Sequence, residues 1–123
     1  MDRRISLLIV DDHETARSQL GRSLQRNDSI DVIGLTADSE QALCLVSQQR
    51  PDVVLLDVRR KDSRGLELCR RLAPLARLVV FTSYLAPEEQ DQALQAGARD
   101  VLWKDINTSS LIARLREIAT APA

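Results

Sequence analysis

The sequence is short of the residues from which most metal, redox and thiol sites are built, with two cysteines and one histidine in 123 residues. Cys44 and Cys69 have no paired spacing and no metal-ligating neighbours. Neither a thiolate zinc site nor a disulfide framework is indicated, and both are expected to be small core hydrophobes in a reducing cytosol. A lone histidine, His13, rules out a site made of clustered imidazoles. No charge of one sign dominates: 17 basic and 18 acidic residues leave a net charge of −1. Nothing in that balance favours nucleic acid or an anionic membrane as a direct partner. Long hydrophobic runs are also missing. The apolar stretch Ile5 to Val10 follows Met1-Asp2-Arg3-Arg4 directly and is too short for a signal peptide or a membrane span, so a cytoplasmic protein is expected. There is no repeat, no low-complexity segment and no internal linker, which predicts one domain over residues 1–123 with its core at about 5–119.

What the sequence does contain is a regular alternation of apolar runs and helical patterns. Ile5 to Val10 reads as a strand covered on both faces and ends at Asp11-Asp12. Ala16, Leu20 and Leu24 then recur at helical spacing. Asn27-Asp28-Ser29 is turn chemistry, and Ile30 to Leu35 predicts a second strand. Asp38-Ser39 caps a second helix with Ala42, Leu43, Leu45 and Val46 as its buried stripe. Pro51 launches Val53-Val54-Leu55-Leu56-Asp57, the clearest buried strand. Leu66, Cys69 (or Leu68) and Leu72 mark a third helix before Pro74. Leu78 to Phe81 forms a fourth strand ending at Thr82-Ser83, and Pro87-Glu88-Glu89 starts a helix that Gly97 ends. Val101-Leu102-Trp103 is a short fifth strand stopping at Lys104, and Leu111, Ile112, Leu115 and Ile118 pattern a last helix. Five strands alternating with five helices must be parallel with right-handed crossovers. The expected fold is therefore a flavodoxin-like doubly wound α/β sheet in the order 2-1-3-4-5.

In such a sheet the working site lies beyond the carboxyl ends of the strands. Strand one ends in Asp11-Asp12, strand three in Asp57, strand four in Thr82 and strand five in Lys104. Taken singly, each is as readily a cap, a turn residue or a surface charge. Together they put three carboxylates, a hydroxyl and an ammonium on one rim. Carboxylates so crowded repel unless a cation joins them, and an all-oxygen set suits a hard ion such as Mg²⁺. A metal, Lys104 and a hydroxyl are also what a transferring phosphoryl group needs, with one carboxylate as nucleophile.

Three segments carry a resemblance: Leu8-Ile9-Val10-Asp11-Asp12-His13, Pro51 through Asp57, and Ala96-Gly97-Ala98-Arg99-Asp100-Val101-Leu102-Trp103-Lys104-Asp105. They resemble the bacterial response-regulator receiver domain of two-component systems, over about Ile5 to Ile118. The resemblance implies that Asp57 accepts a phosphoryl group from a phosphohistidine on a sensor histidine kinase. It implies Mg²⁺ held directly by Asp12 and Asp57, through water by Asp11, and by the backbone carbonyl of Arg59. Lys104 would pair with a phosphoryl oxygen, and Thr82 would move to bond another as the switching step. Such a domain is a signalling switch that promotes its own phosphorylation and dephosphorylation, not a turnover enzyme. It also implies pairing of two copies on phosphorylation, through a face that the sequence does not fix, and no membrane. Val10-Asp11-Asp12-His13 and Lys104-Asp105 are most similar to receivers of NarL/LuxR-type transcription regulators. Those carry a helix-turn-helix domain after the receiver, and DNA contact would come only through that domain, which is absent from this chain. An excised receiver is favoured over a single-domain regulator.

Two departures from the family pattern stand out. Arg60-Lys61 occupies the place of a usual Met-Pro pair, which removes a stiffening proline from the loop supplying the Arg59 carbonyl. It either loosens that loop and draws the phosphodonor, or is a tolerated solvated stretch. Val101 stands where a switching Tyr or Phe is usual, so output is expected to run through Thr82 and backbone movement, with Trp103 on the same strand face. Tyr84 and Arg59 lie where side chains overhang the phosphoryl group and are expected to limit water access. His13 is expected to be a lone exposed residue at a helix start. Competing functions fare worse. An aspartyl-nucleophile phosphatase should pair its nucleophile with a second Asp two residues on, but Val58-Arg59 follows Asp57. A flavodoxin-like cofactor binder should show a phosphate-cradling loop after strand one, but Asp-Asp-His-Glu there repels phosphate. A degenerate receiver kept for docking or dimerisation remains the alternative.

Overall fold

The computed structural model describes residues 4–122. Its elements are β1 (Ile5–Val10), α1 (Glu14–Gln25), β2 (Ile30–Thr36), α2 (Ser39–Gln49), β3 (Val53–Leu56), α3 (Gly65–Leu72), β4 (Leu78–Thr82), α4 (Pro87–Gln95), β5 (Asp100–Trp103) and α5 (Thr108–Thr120). All strand pairs are parallel and the sheet order is β2-β1-β3-β4-β5, as the alternation of patterns predicts.

Strand parity divides the interior in two. Ile5, Leu7, Ile9, Val53, Leu55, Val79 and Phe81 point to one face and pack with Leu24 of α1 and Leu111, Leu115 and Ile118 of α5. Leu8, Val10, Val54, Leu56, Leu78 and Val80 point to the other and pack with residues of α2, α3 and α4. The runs in β1, β3 and β4 are nearly continuous in apolar residues because both faces of these strands are covered. Val101 and Trp103 both lie against the second cluster, so their shared parity holds.

Helix starts follow local hydrogen bonding. Asp38 accepts the Gln41 N–H at 2.9 Å and Asn107 accepts the Ser110 N–H at 2.8 Å. At α4 the Glu89 carboxylate accepts the Ala86 N–H, with Pro87 in the first turn, where proline loses no helical bond. Gly97 follows α4 at φ +113°, a conformation that favours glycine. Past the strand ends the ladder continues for one more bond. Asp11 N–H donates to Thr36 O, Asp57 N–H to Val10 O and Lys104 N–H to Thr82 O, all within 3.0 Å. These bonds fix Asp11 beside Asp57 and Lys104 beside Thr82 on one rim.

One expectation fails. Cys44 is exposed and only Cys69 is buried. The inward positions of α2 are Ala42 and Val46, one turn apart, and Cys44 lies about 200° of helical rotation from Ala42, on the outer side. Cys69 sits between α3 and α4 with its Sγ 3.8 Å from Ala93 O, and burial pushes its thiol up to about 11. A maleimide is therefore expected to label one thiol per native chain and two after denaturation, read by intact mass. Rapid double labelling of the native protein would contradict this placement.

Candidate functional site

Lys104 is the centre of the rim. Its Nζ lies 2.7 Å from Asp11 Oδ2 and 2.7 Å from Asp57 Oδ2. Both carboxylates are almost fully buried, and Lys104 reaches them from the end of β5 with about a quarter of its side chain in solvent. Three carboxylates and one ammonium leave this corner net negative, so each remaining donor matters. His13 supplies two to Asp11 Oδ1, its backbone N–H at 2.9 Å and its ring Nδ1 at 2.8 Å. The Arg59 N–H donates to Asp57 Oδ1 at 2.9 Å, and the Lys61 N–H to Asp12 Oδ2 at 2.7 Å.

These contacts move two pKa values in opposite directions. For Asp11, burial pushes the carboxyl up, but the Lys104 ammonium and the two His13 donors together outweigh it and hold the carboxyl below its ordinary value. For Lys104, burial pushes the ammonium down, but Asp11 and Asp57 outweigh it and hold it above its ordinary value. Both shifts favour the charged forms, as expected of two sides of one ion pair.

The strand-end residues named from the sequence all stand on this rim, and Arg59 and Tyr84 lie at its edge. Asp11, Asp57 and Lys104 touch directly. Asp12 stands beside them, with its Oδ1 3.4 Å from His13 Nδ1. Thr82, at the end of β4, is fully buried, and its Oγ1 has no hydrogen-bond partner among the described residues. Arg59 gives its N–H to the site but turns its guanidinium to Tyr84 O at 3.0 Å and to Glu89 at 3.6 Å. Tyr84 is exposed and stacks on Trp103, ring centroids 5.9 Å apart and planes 16° apart.

Two features were not legible beforehand. His13 is half exposed, as expected, but its Nδ1 also lies 3.5 Å from Asp57 Oδ2, so it borders the acceptor. Its place next to Asp12 was the only available signal. Arg60 is not solvated: its side chain is 4% exposed and its guanidinium donates to Ala37 O and to Ser39 Oγ. Nothing local in the sequence marks that contact, because its partners lie more than twenty residues away.

The donor set fits a hard divalent cation. Asp12 Oδ1 is buried with no hydrogen-bond partner, and His13 Nδ1 lies within 3.5 Å of it, of Asp11 Oδ1 and of Asp57 Oδ2. Asp11, Asp12 and His13 offer ligand atoms within 4.8 Å of one another. An oxygen-rich corner with unbalanced negative charge suits Mg²⁺.

The pairing of Lys104 also has a pH signature. Its contribution is complete between the ordinary Asp and Lys values, about pH 4 to 10. It is lost as pH falls through the lowered Asp11 value or rises through the raised Lys104 value. In metal-free buffer at pH 7, Lys104→Met is expected to destabilise the fold by about 1–3 kcal/mol in urea denaturation, since it leaves two carboxylates facing each other. The variant should also lose the alkaline limb of the stability profile. Wild-type stability and an unchanged profile would show that the pair contributes nothing.

Comparison with known proteins agrees with this geometry. Residues 7–116 match the family described as the response regulator receiver domain. The DNA-binding transcriptional activator DevR/DosR of Mycobacterium tuberculosis is 36% identical over 117 residues, covering 93% of this chain and 54% of that protein. A protein-glutamate methylesterase/protein-glutamine glutaminase of Syntrophomonas wolfei is 38% identical over 106 residues, covering 85% of this chain and 31% of that protein. The chain thus spans about half or less of the curated relatives it matches. Among solved structures, the receiver domain of the response regulator NarL from Mycobacterium tuberculosis superposes with TM-score 0.88 at 27% identity, covering 98% of this chain and 99% of that one. The BeF3-activated N-terminal receiver domain of RstA from Klebsiella pneumoniae gives 0.84 at 26% identity, covering 94% and 99%. With the sheet order, the strand-end residues and these matches in agreement, the chain belongs to the response regulator receiver domain family of two-component systems.

Proposed function

We propose that Asp57 is the phosphoacceptor of a Mg²⁺-dependent switch charged by a sensor histidine kinase, with transcription as its output. The observation that carries this reading is the Lys104 ammonium bridging Asp57 and Asp11, with the unpartnered Thr82 hydroxyl on the same rim. In the transfer, one Asp57 carboxylate oxygen forms a bond to phosphorus. The bond from phosphorus to the donor imidazole nitrogen breaks, and its electron pair stays on the imidazole, which takes a proton from solvent. Lys104 is already within hydrogen-bond range of the acceptor and exchanges a carboxylate contact for a phosphoryl oxygen. Thr82 then has a free hydroxyl to donate to another oxygen. Asp12, Asp57, the Arg59 carbonyl and, through water, Asp11 would hold Mg²⁺, which when bound supplies neutralising charge for the carboxylates and the phosphoryl group.

The same reading makes the domain a self-phosphorylating and self-dephosphorylating switch that acts in the cytoplasm. Among the described residues no helix is long and apolar enough to cross a membrane. Pairing of two copies on phosphorylation is part of the proposal. So is DNA contact made only by a helix-turn-helix domain outside these 123 residues; the DevR/DosR relative is named a DNA-binding transcriptional activator.

Incubation with acetyl phosphate and Mg²⁺ is expected to add a single phosphoryl group by intact mass to the wild type and none to Asp57→Asn. No adduct on either, together with no detectable Mg²⁺ binding, would sink the switch and leave a receiver fold kept for docking. Once phosphorylated, Tyr84→Ala and Arg59→Ala are expected to lose the group faster, because the Arg59 guanidinium, held on the Tyr84 backbone O, and the Tyr84 ring, stacked on Trp103, would each narrow an approach for water. Unchanged dephosphorylation rates in both would remove that role.

A further inference from the structure

The loop between β3 and α3 does not rely on proline for its shape. Arg60 lies folded under the turn between β2 and α2, with its guanidinium on Ala37 O and Ser39 Oγ. Its nearest acid, Asp62, is 3.9 Å away and half exposed. Arg60 Nε and Nη1 are buried and have no hydrogen-bond partner. A buried cation so poorly satisfied is a weak device for stability, since an apolar side chain of similar size would serve the fold as well or better. Its backbone is nevertheless fixed on both sides, with Arg60 N–H on Val58 O and Ser63 N–H on Arg60 O. The adjoining peptide carries the one group of this loop that touches Asp12, the Lys61 N–H on Oδ2 at 2.7 Å. A proline at position 61 would have no N–H to give. With Oδ2 engaged, Asp12 Oδ1 is left buried without a hydrogen bond, His13 Nδ1 lying 3.4 Å away.

We propose that Arg60 is a positioning residue for the cation site: its buried guanidinium clamps the β3–α3 loop to the β2–α2 turn so that the Lys61 N–H holds Asp12 with its other oxygen outside any hydrogen bond. The inference rests on the proposed Mg²⁺-dependent reading of this rim. It assigns the Arg60-Lys61 pair a definite task in place of a stiff proline, and it separates the role of the Lys61 backbone from that of its exposed side chain. Groups that orient a metal ligand without touching the metal commonly change metal affinity by about ten- to a hundredfold when removed.

The test is the Mg²⁺ dissociation constant, from amide shifts during MgCl2 titration, beside the melting temperature of the metal-free protein. Arg60→Met is expected to bind Mg²⁺ about tenfold more weakly with a melting temperature equal to or above wild type. Lys61→Ala, which keeps the backbone donor, is expected to bind as wild type does. Arg60→Lys keeps the charge but not the planar group and is expected at an intermediate affinity. It decides the matter if Arg60→Met does not fold. Wild-type affinity in Arg60→Met or Arg60→Lys overturns the clamp while leaving the switch intact. A lowered melting temperature with unchanged affinity overturns it in favour of a purely structural arginine. A wild-type protein that binds no Mg²⁺ overturns the clamp and the underlying reading together.

Discussion

The arrangement depends on mutual repulsion among Asp11, Asp12 and Asp57, which the backbone forces onto one rim. Their strands are adjacent and in register, and the extra ladder bonds from Asp57 to Val10 and from Asp11 to Thr36 leave little room to spread. Negative charges this close must be met by cations or donors. Lys104 meets two of them, the His13 donors meet one, and backbone N–H groups of Arg59 and Lys61 meet the rest in part. The partners come from β5, from the start of α1 and from the loop after β3. The carboxylates therefore organise segments far apart in sequence.

The fold was readable because each level of the sequence agreed with the others. Runs such as Val53 to Leu56 are too short for helices and too apolar for surface strands, and Asp38 and Pro87 mark helix starts by their own chemistry. That Asp57, Thr82 and Lys104 share one rim was readable for the same reason, since each stands directly after an apolar run. Cys44 was misplaced because α2 is covered along only one stripe, and neighbouring Leu43 and Leu45 make the whole segment look buried. Arg60 was opaque for a different reason. Whether an arginine is solvated or buried depends on the partner offered by another loop, here Ala37 and Ser39. No local pattern encodes that choice.

Val101 changes how the two halves of the sheet edge relate. With a small side chain there, the largest aromatic on β5 is Trp103, one pleat further on and in register with Thr82 of β4. Trp103 is already occupied by Tyr84 from the segment after β4. The site edge and the β5 edge are thus joined by ring contact on one side and by the Lys104 to Thr82 backbone bond on the other.

That stack has an optical consequence. The sequence contains one Trp and one Tyr, and they lie against each other at the end of the strand that carries Thr82. Trp103 emission therefore comes from a single environment, without the averaging that several indoles impose. Any shift of the segment after β4 alters the overlap of the two rings and the water around the indole. The chain carries an intrinsic fluorophore beside the segment assigned to the proposed switch, and the signal needs no attached dye.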